Sequence, residues 1–425
     1  MEIYSENSKR TQPSFSHITP FLIAYVQWVL DQSKKNGIKR LYFVARDGKI
    51  LLRIAEQLIN DTDSPPKLHY LYGSRKAWLI PSIELDKSWW FEKVIPSNSS
   101  RSTLGILSRL SLNTRDISLI LSELGISETE SRQNLSYSKS TEVIHKLLTT
   151  PITKTIISNH INTERKLAID YFKQEGLFDE TQWAIVDTGW VLHCQASLRR
   201  ILSSTQHNTP QTNGFYIGFS KNRLPEHETG KTFAFIPEPG SFLSRRAAII
   251  EHCFTPADHP TTIGYKRNNS KVVPIFDDEY RAEYEIAYAK KLIEAVTNYA
   301  RIISDSNSYS EHASEYCNTA IKVAEKFIRY PSIQEISAFE SIGIISDLDH
   351  NCKNVQPLYR PLKIIDIIKL IASQLPKYKH LQNSVPMWLE ASATISNTPI
   401  RIITTILIWF DNLRYMQDDS MDNKQ

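Results

Sequence analysis

The feature that most constrains this chain is an alternation of apolar strands with helices, which occurs twice. From Pro20 to about Ile83 the segments FLIAYVQWVLDQSKKNG, KRLYFVA, RDG, KILLRIAEQLI and HYLYG give helix, strand, turn, helix and strand. At Gln182 the pattern resumes with WAIVDTG, a helix from about Trp190 or Val191, and the strands NGFYIGF and KTFAFIP. Crossover helices between strands produce parallel sheets. The chain is therefore predicted to be an α/β protein with a parallel sheet core.

The stretches between and after these strands predict the domain organisation. Residues 1–84 and 182–275 are expected to form the α/β core. Residues 85–181 contain only short amphipathic segments and predict a helical insertion, while residues 276–425 predict a helical C-terminal region.

Composition narrows the functional classes. Fifty Lys and Arg against 46 Asp and Glu leave a formal charge of +4 without a long basic run, so nucleic acid is not indicated as a partner. Four widely spaced cysteines indicate a reducing compartment. The polar N-terminus is not a signal peptide, and the longest apolar stretch, Ile400 to Phe410, is about half a membrane span. A cytoplasmic location is predicted.

That C-terminal stretch also has helical periodicity. Its apolar positions are Ile402, Ile403, Ile406, Leu407 and Phe410. This spacing predicts a packed, buried helix, with peripheral docking at the inner face of a membrane as the alternative.

Leu41 to Gly48, LYFVARDG, is a strand that runs into a tight turn and then a helix. The free N–H groups and the positive dipole end of such a helix form a ready anion site. Arg46 and Lys49 add positive charge, and Gly48 permits close approach of a ligand. A turn with a solvated Arg46–Asp47 ion pair is the alternative explanation.

WAIVDTG, from Trp183 to Gly189, repeats this geometry. Asp187 at its end is placed to bind ribose hydroxyls or a metal, and the amides from Thr188 to Leu192 to hold a phosphate. A helix-capping role for Asp187 is compatible with either.

A third segment, YGSRKAW, directly follows the strand HYLYG. Arg75 offers a bidentate contact to phosphate and Lys76 a point charge. Alone, this is a common surface pattern.

Together these segments resemble a type I phosphoribosyltransferase. The order of the motifs is similar to that of the family's loops. The strand-RDG-helix motif corresponds to the pyrophosphate loop, strand-RK to the basic segment, and strand-VDTG-helix to the loop for 5-phosphoribosyl 1-pyrophosphate (PRPP). A closer resemblance is to bacterial polysaccharide-biosynthesis proteins that use PRPP to add 5-phosphoribose to a glycan. The segments that carry it are LYFVARDGKILLRIAEQL, YLYGSRKAW, VDTGW followed by Gln195, and GFYIGF. The resemblance runs from about Pro20 to Pro274 and implies a phosphoribosyltransferase-like, Rossmann-like sheet core.

The resemblance implies a pentosyltransferase that moves 5-phosphoribose from PRPP to a sugar hydroxyl, with inversion to the β-product and release of pyrophosphate. The implied acceptor is a lipid-linked glycan or oligosaccharide of O-antigen or capsule synthesis. Mg²⁺ bound with PRPP is the implied cofactor, with Asp47 or Asp187 as its protein ligand. Because no strand here ends in Asp-x-Asp, a separate haloacid dehalogenase-type phosphatase would remove the phosphate.

The same resemblance assigns the site residues. Asp47 is the first candidate for the general base, Glu251 in the loop-rich segment AAIIEHCFTPADHPTTIGY is the second, and Asp187 completes the catalytic set. The residues assigned to pyrophosphate are Ala45, Arg46, Gly48, Lys49, Arg75 and Lys76. The residues assigned to ribose 5-phosphate are Asp187, Thr188, Gly189, Trp190, Val191 and Leu192.

One departure keeps a second reading open. A single acid, Asp187, precedes Thr188 and Gly189, whereas the family's PRPP loop carries two consecutive acids. This departure favours a non-catalytic phosphoribosyltransferase-like module that binds a nucleotide or phosphosugar. The residues that favour the enzyme are Arg46, Asp47, Arg75 and Lys76. A conventional phosphoribosyltransferase for a free base is a third hypothesis.

Glycine is scarce, with 13 in the chain where average usage of roughly 7% would give about 30. Gly48, Gly73 and Gly189 fall at the three strand-end turns, and Gly214 and Gly218 belong to the following strand. This clustering predicts places where the backbone approaches phosphate.

Overall fold

The computed structural model describes residues 13–59, 64–95, 101–205, 211–277, 283–305, 313–340, 342–345, 355–375, 378, 381 and 384–422. Its strands are β1 (Arg40–Val44), β2 (Lys67–Leu71), β3 (Trp183–Trp190), β4 (Asn213–Phe219), β5 (Lys231–Ile236), β6 (Thr262–Asn268), β7 (Lys271–Phe276), β8 (Gly343–Ile345) and β9 (Val355–Pro357). The first five form one parallel sheet in the order β2-β1-β3-β4-β5. The predicted α/β class with a parallel sheet is confirmed.

Eighteen α-helices are assigned among the described residues. They are α1 (Phe15–Lys35), α2 (Gly48–Leu58), α3 (Arg75–Ser82), α4 (Phe91–Val94), α5 (Thr103–Arg109), α6 (Thr114–Glu123), α7 (Glu128–Ser131), α8 (Tyr137–Thr149), α9 (Pro151–Gln174), α10 (His193–Ser203), α11 (Glu226–Thr229), α12 (Ala247–Ile249), α13 (Glu283–Asp305), α14 (Ala313–Arg329), α15 (Ile333–Ile336), α16 (Ile364–Ala372), α17 (Leu389–Thr394) and α18 (Thr398–Asp422). Short 3₁₀ turns occupy Ser244–Arg246 and Ser337–Phe339, and a π-helical turn occupies Ile250–Phe254.

Two segments differ from the sequence prediction. The segment expected to be loop-rich contains the π-helical turn and runs into β6, which pairs with β7 as an antiparallel hairpin. The C-terminal region, expected to be helical throughout, contains the short antiparallel pair β8 and β9. β8 and β9 have three residues each, and a pattern of that length is too short to distinguish from a loop.

The sheet is covered on both faces because its strands are apolar on both sides. Leu41 and Phe43 of β1 point into a core shared with α1, α2, α13 and α14, whereas Tyr42 and Val44 point into a second core with α3, α9 and α10. This three-layer arrangement is typical of α/β proteins. Helices from the C-terminal region thus complete one face of the sheet.

The helices between β2 and β3 also have a core of their own. Apolar side chains from α3 through α9 meet there, including Trp90, Ile106, Ile120, Ile144 and Ile161. This core is attached to the sheet through α3 and α9, which also pack against each other.

Three of the glycines are required by internal packing. A Cβ on Gly73 would lie 2.0 Å from the Trp78 ring, and one on Gly48 would lie 2.6 Å from the Phe43 carbonyl carbon. Gly189 has φ +127°, and its Cβ would meet the Gly218 carbonyl oxygen at 2.3 Å. Packing within the fold therefore explains these glycines without a phosphate.

The C-terminal apolar stripe is not buried, so that prediction is wrong. Ile402, Ile406 and Phe410 are 54, 48 and 53% exposed, because α18 packs through the opposite face, where Ile400 and Thr404 are buried. Among the described residues, no helix has the length and hydropathy needed to cross a membrane.

Replacing Gly189 with alanine is expected to damage folding rather than ligand binding alone. The new Cβ meets backbone, which cannot rotate away, at a φ that L-residues rarely adopt. We expect Gly189→Ala to lower the free energy of unfolding by more than about 3 kcal/mol, measured by chemical denaturation. Gly264→Ala is the control, since its Cβ would make only an ordinary contact of 3.5 Å. Equal stability of the two variants would contradict the packing explanation.

Candidate functional site at the carboxyl ends of the parallel strands

The turns after β1 and β3 lie side by side. The two strands pair in parallel from Arg40 opposite Trp183 to Phe43 opposite Val186, so Asp47 and Asp187 emerge at the same edge of the sheet. The Thr188 hydroxyl donates a hydrogen bond of 2.6 Å to Asp47 Oδ2. The two predicted motifs, 141 residues apart in sequence, are thereby joined directly.

Asp187 is held on several sides. Its side chain is only 8% exposed, and Oδ1 accepts a 2.8 Å hydrogen bond from the Thr188 amide. The hydroxyl of Tyr25, from α1, lies 2.8 Å from the Asp187 carbonyl oxygen and 2.9 Å from that of Phe215. Asp187 does not cap a helix, because α10 begins six residues later.

Glu251, which follows β5 in the chain, belongs to the same site. It lies in the π-helical turn, and the Trp190 indole nitrogen donates a 2.9 Å hydrogen bond to Glu251 Oε1. Single π-helical turns are frequent at functional sites. Glu251 and Trp190, assigned from the sequence to different roles, are therefore direct partners.

Burial and the neighbouring carboxylates raise the pKa values of Asp47 and Asp187. Burial, and then the charge of Glu251, raise the pKa of Asp47 to about 7, against the opposing effects of Thr188 and Arg46. Burial and the neighbouring Asp47 raise the pKa of Asp187 well above its ordinary value. Perturbed carboxyls at strand ends are characteristic of catalytic and binding sites. At neutral pH the pair therefore holds protons that exposed aspartates would release.

The four predicted cations divide into two groups. The charges of Arg46 and Arg75 lower the pKa of Asp47, which places both guanidinium groups near the acids. Lys76 instead forms a 2.6 Å ion pair with Asp277, and Lys49 Nζ lies 5.2 Å above the Tyr70 ring. The two arginines are thus the cations that act on the acidic centre.

Helix α10 begins at His193, later than the predicted start at Trp190 or Val191. Trp190 is the last residue of β3 and pairs with Phe219, and Leu192 adopts a left-handed conformation with φ 73° before the helix. The free helix amides are therefore those of the first turn from His193, beyond the range 188–192 that the sequence predicted.

A lysine from the insertion, which sequence analysis missed, faces this helix start. Lys93 Nζ lies 3.2 Å from His193 Nε2. Burial, followed by the charges of Lys93 and Arg75, lowers the pKa of His193 to about 4, so the ring is neutral and accepts from the ammonium. A lysine and a helix N-terminus together form a stronger anion site than either alone. No motif in the sequence connects Lys93 to the sheet.

An aromatic cluster borders the β1 turn on the β2 side. The rings of Tyr70, Tyr72, His259 and Phe276 meet with centroid distances of 5.1 to 5.7 Å. His259 Nδ1 donates to the Pro260 carbonyl at 2.8 Å, so Nε2 accepts from the Tyr70 hydroxyl at 2.6 Å. The cluster lies beside the acids, because the charges of Arg46 and Asp47 act on Tyr70.

The carboxylates of the site can be compared with the ligands that Mg²⁺ requires. Magnesium is usually held by one or two carboxylates together with substrate phosphates. Asp47 and Asp187, at adjacent strand ends, fit that requirement. Within the part of the chain that the structure describes, no group of three or more His, Cys, Asp or Glu side chains is arranged to hold a metal ion. The side chains thus fit an ion that arrives with phosphate oxygens.

A cavity of about 580 Å³ lies elsewhere, between α9, α10 and α11. Its lining includes Arg165, Arg199, Arg200 and Glu228. Arg199 and Arg200 lie in the C-terminal half of α10, six and seven residues beyond His193. No protein-family model and no curated protein matches this chain.

The raised pKa of Asp47 predicts a stabilising substitution. The folded protein keeps a proton that the unfolded chain, with an aspartate pKa near 3.9, releases. Stability should therefore fall as the pH rises from about 4 to about 7. Asp47→Asn, which cannot ionise, should be more stable than wild type by about 4 kcal/mol at pH 8 and nearly equal at pH 4.

Chemical denaturation at pH 4, 6 and 8 measures this difference. Asp86→Asn is the matched control, because the Asp86 side chain is 75% exposed. A stability difference for Asp47→Asn that does not change with pH would show that this carboxyl ionises normally in the folded protein.

Proposed function

We propose that this protein transfers 5-phosphoribose from PRPP to a sugar hydroxyl of a glycan acceptor, releasing pyrophosphate. The observation that carries the proposal is the hydrogen bond from Thr188 to Asp47, which joins the two strand-turn-helix motifs into one site. We propose that the acids, the arginines and the N-terminus of α10 line one crevice. Such crevices at the carboxyl ends of parallel strands are where α/β proteins bind ligands.

Two cationic regions suit the two phosphate-bearing ends of PRPP. Arg46 and Arg75, beside the acids, are proposed to hold the pyrophosphate. The first turn of α10, together with Lys93, is proposed to hold the 5-phosphate, since Lys93 and His193 meet there. The ribose would then lie between them, against Asp47 and Asp187.

The proposed reaction is a displacement at the anomeric carbon of the ribose. The acceptor oxygen forms a bond to C1 as the bond from C1 to the pyrophosphate oxygen breaks, and that electron pair leaves with pyrophosphate. Displacement in one step inverts α-linked PRPP to a β-product. When bound, Mg²⁺ would supply charge neutralisation on the pyrophosphate, with Asp187 as the carboxylate available to it while Asp47 acts as the base. Arg46 and Arg75 stabilise the same developing charge.

Asp47 is proposed as the base that takes the acceptor's proton. A general base is most effective when its pKa is near the working pH, and the pKa of Asp47 is raised to about 7. Thr188 fixes one of its oxygens and leaves the other for the substrate. Glu251, held by Trp190, is the second candidate.

The aromatic cluster beside the β1 turn is the proposed acceptor side. Sugars present apolar C–H faces that pack on aromatic rings, and Phe276 at its edge is 37% exposed. Tyr72 follows Leu71, whose carbonyl accepts from the Ala45 amide at 2.9 Å, so the cluster borders the turn that carries Asp47. A lipid-linked or oligosaccharide acceptor, followed by a separate phosphatase, completes the proposal.

A non-catalytic phosphosugar-binding module is the second candidate. The Asp187 carboxylate accepts from its neighbouring Thr188 amide, which occupies one oxygen that a ribose hydroxyl would use. This module would bind PRPP without transferring its ribose.

Mass spectrometry separates the two candidates. The protein is incubated with PRPP, Mg²⁺ and fluorophore- or lipid-linked sugars, and the acceptor is examined for a phosphoribosyl increment with equimolar pyrophosphate. Asp47→Asn should reduce turnover by about 10² to 10⁴ while PRPP still binds. Tight PRPP binding without an increment on any acceptor would favour the module, and absence of PRPP binding would reject both.

Lys93→Ala tests the 5-phosphate assignment. Loss of one charge-assisted contact should weaken PRPP binding roughly tenfold or more, measured by isothermal titration calorimetry. Lys87→Ala is the control, because Lys87 lies in the same segment but is exposed and paired with Asp86. Equal affinity of the two variants would remove Lys93 from the site.

A further inference from the structure

Helices α16 and α18 each present an apolar stripe to solvent. The exposed residues are Ile364, Ile365, Ile368 and Ile371 on α16, and Ile402, Ile403, Ile406, Trp409 and Phe410 on α18. Their exposed fractions run from 43% at Ile403 to 72% at Ile364. Within each helix these positions recur every three to four residues, so they form one continuous face.

The two stripes are not needed by the core of the protein. Ile367 and Leu370 of α16 and Ile400 of α18 already form a small core on the opposite faces. The four residues on α16 and the five on α18 are each more than two-fifths exposed, whereas exposed apolar side chains that are scattered singly are normal on a protein surface. Exposed apolar clusters of this kind indicate a surface that binds a partner or a membrane.

The charged residues beside the stripes bear on what binds them. Lys363 and Arg401 are exposed beside them, while Asp366 is buried and paired with Arg360 at 2.7 Å. The exposed Asp411 lies 3.9 Å from Arg245. Among the described side chains of α16, α18 and the preceding Lys363, the exposed charges are thus two cations, Lys363 and Arg401, and one carboxylate, Asp411. A second copy would bring like charges together, whereas anionic lipid headgroups complement them.

We propose that α16 and α18 dock this protein on an anionic lipid surface. The isoleucine stripes would enter the boundary between headgroups and acyl chains, with Lys363 and Arg401 at the lipid phosphates. The helices would lie on the membrane rather than cross it, as the described helices are not long and apolar enough to span one. This inference stands on the exposed stripes and does not depend on the proposed transferase activity.

Vesicle flotation with the full chain tests the proposal. Binding is expected to vesicles of phosphatidylcholine with 30% phosphatidylglycerol, and less to pure phosphatidylcholine. Ile406→Glu and Ile368→Glu should each weaken binding about tenfold or more. Because both side chains are exposed, circular dichroism should show unchanged folding. Ile152→Glu is the matched control, since Ile152 on α9 is also 53% exposed but lies outside the stripes.

Two results would overturn the proposal. In the first, Ile406→Glu and Ile368→Glu bind vesicles as strongly as the control Ile152→Glu. The other is absence of vesicle binding together with a dimer, detected by light scattering, that Ile406→Glu dissociates. In that case a second copy of the chain covers the stripes.

Discussion

The pairing of β1 with β3 is the interaction on which the rest of the site depends. It aligns Arg40 with Trp183 and Phe43 with Val186, residues separated by the whole helical insertion. Since parallel strands end at one edge, this register brings Asp47 and Asp187 together, and Thr188 bonds directly to Asp47. If the two strands were not neighbours, the two turns would be separate surface loops, each with the properties of an ordinary helix start.

Because these carboxyl groups are neighbours, their negative charges repel one another when they ionise. Burial opposes the ionisation of Asp47 and Asp187, and the two aspartates and Glu251 add to this through their negative charges. Such an arrangement lowers stability at neutral pH, a cost that proteins commonly bear at functional sites. Arg46 and Arg75 offset only part of it. A substrate with a bound divalent cation would relieve the repulsion further, which is why a phosphate-bearing donor suits this centre.

The sequence predicts the strands well, because continuous apolar runs bounded by turns are typical of a buried parallel sheet. It also places Asp47 correctly after β1, whereas Asp187 lies within β3, which continues three residues further to Trp190. It does not predict partners that depend on distant packing. Lys93 reaches α10 from the insertion, and Trp190 holds Glu251 through a π-helical turn that has no sequence signature. The exposed face of α18 was also beyond prediction, because periodicity reveals an apolar stripe but not which face of the helix is packed.

Hydrogen–deuterium exchange of the protein with and without PRPP and Mg²⁺ tests most directly whether the three strand-end turns form one donor site. Protection is expected together in peptides that cover residues 45–49, 75–78 and 187–195, with the segment around Lys93 following them. The cavity residues Arg199 and Arg200 should exchange as before. Protection centred on that cavity, or at one turn alone, would contradict a single PRPP site built by the pairing of β1 with β3.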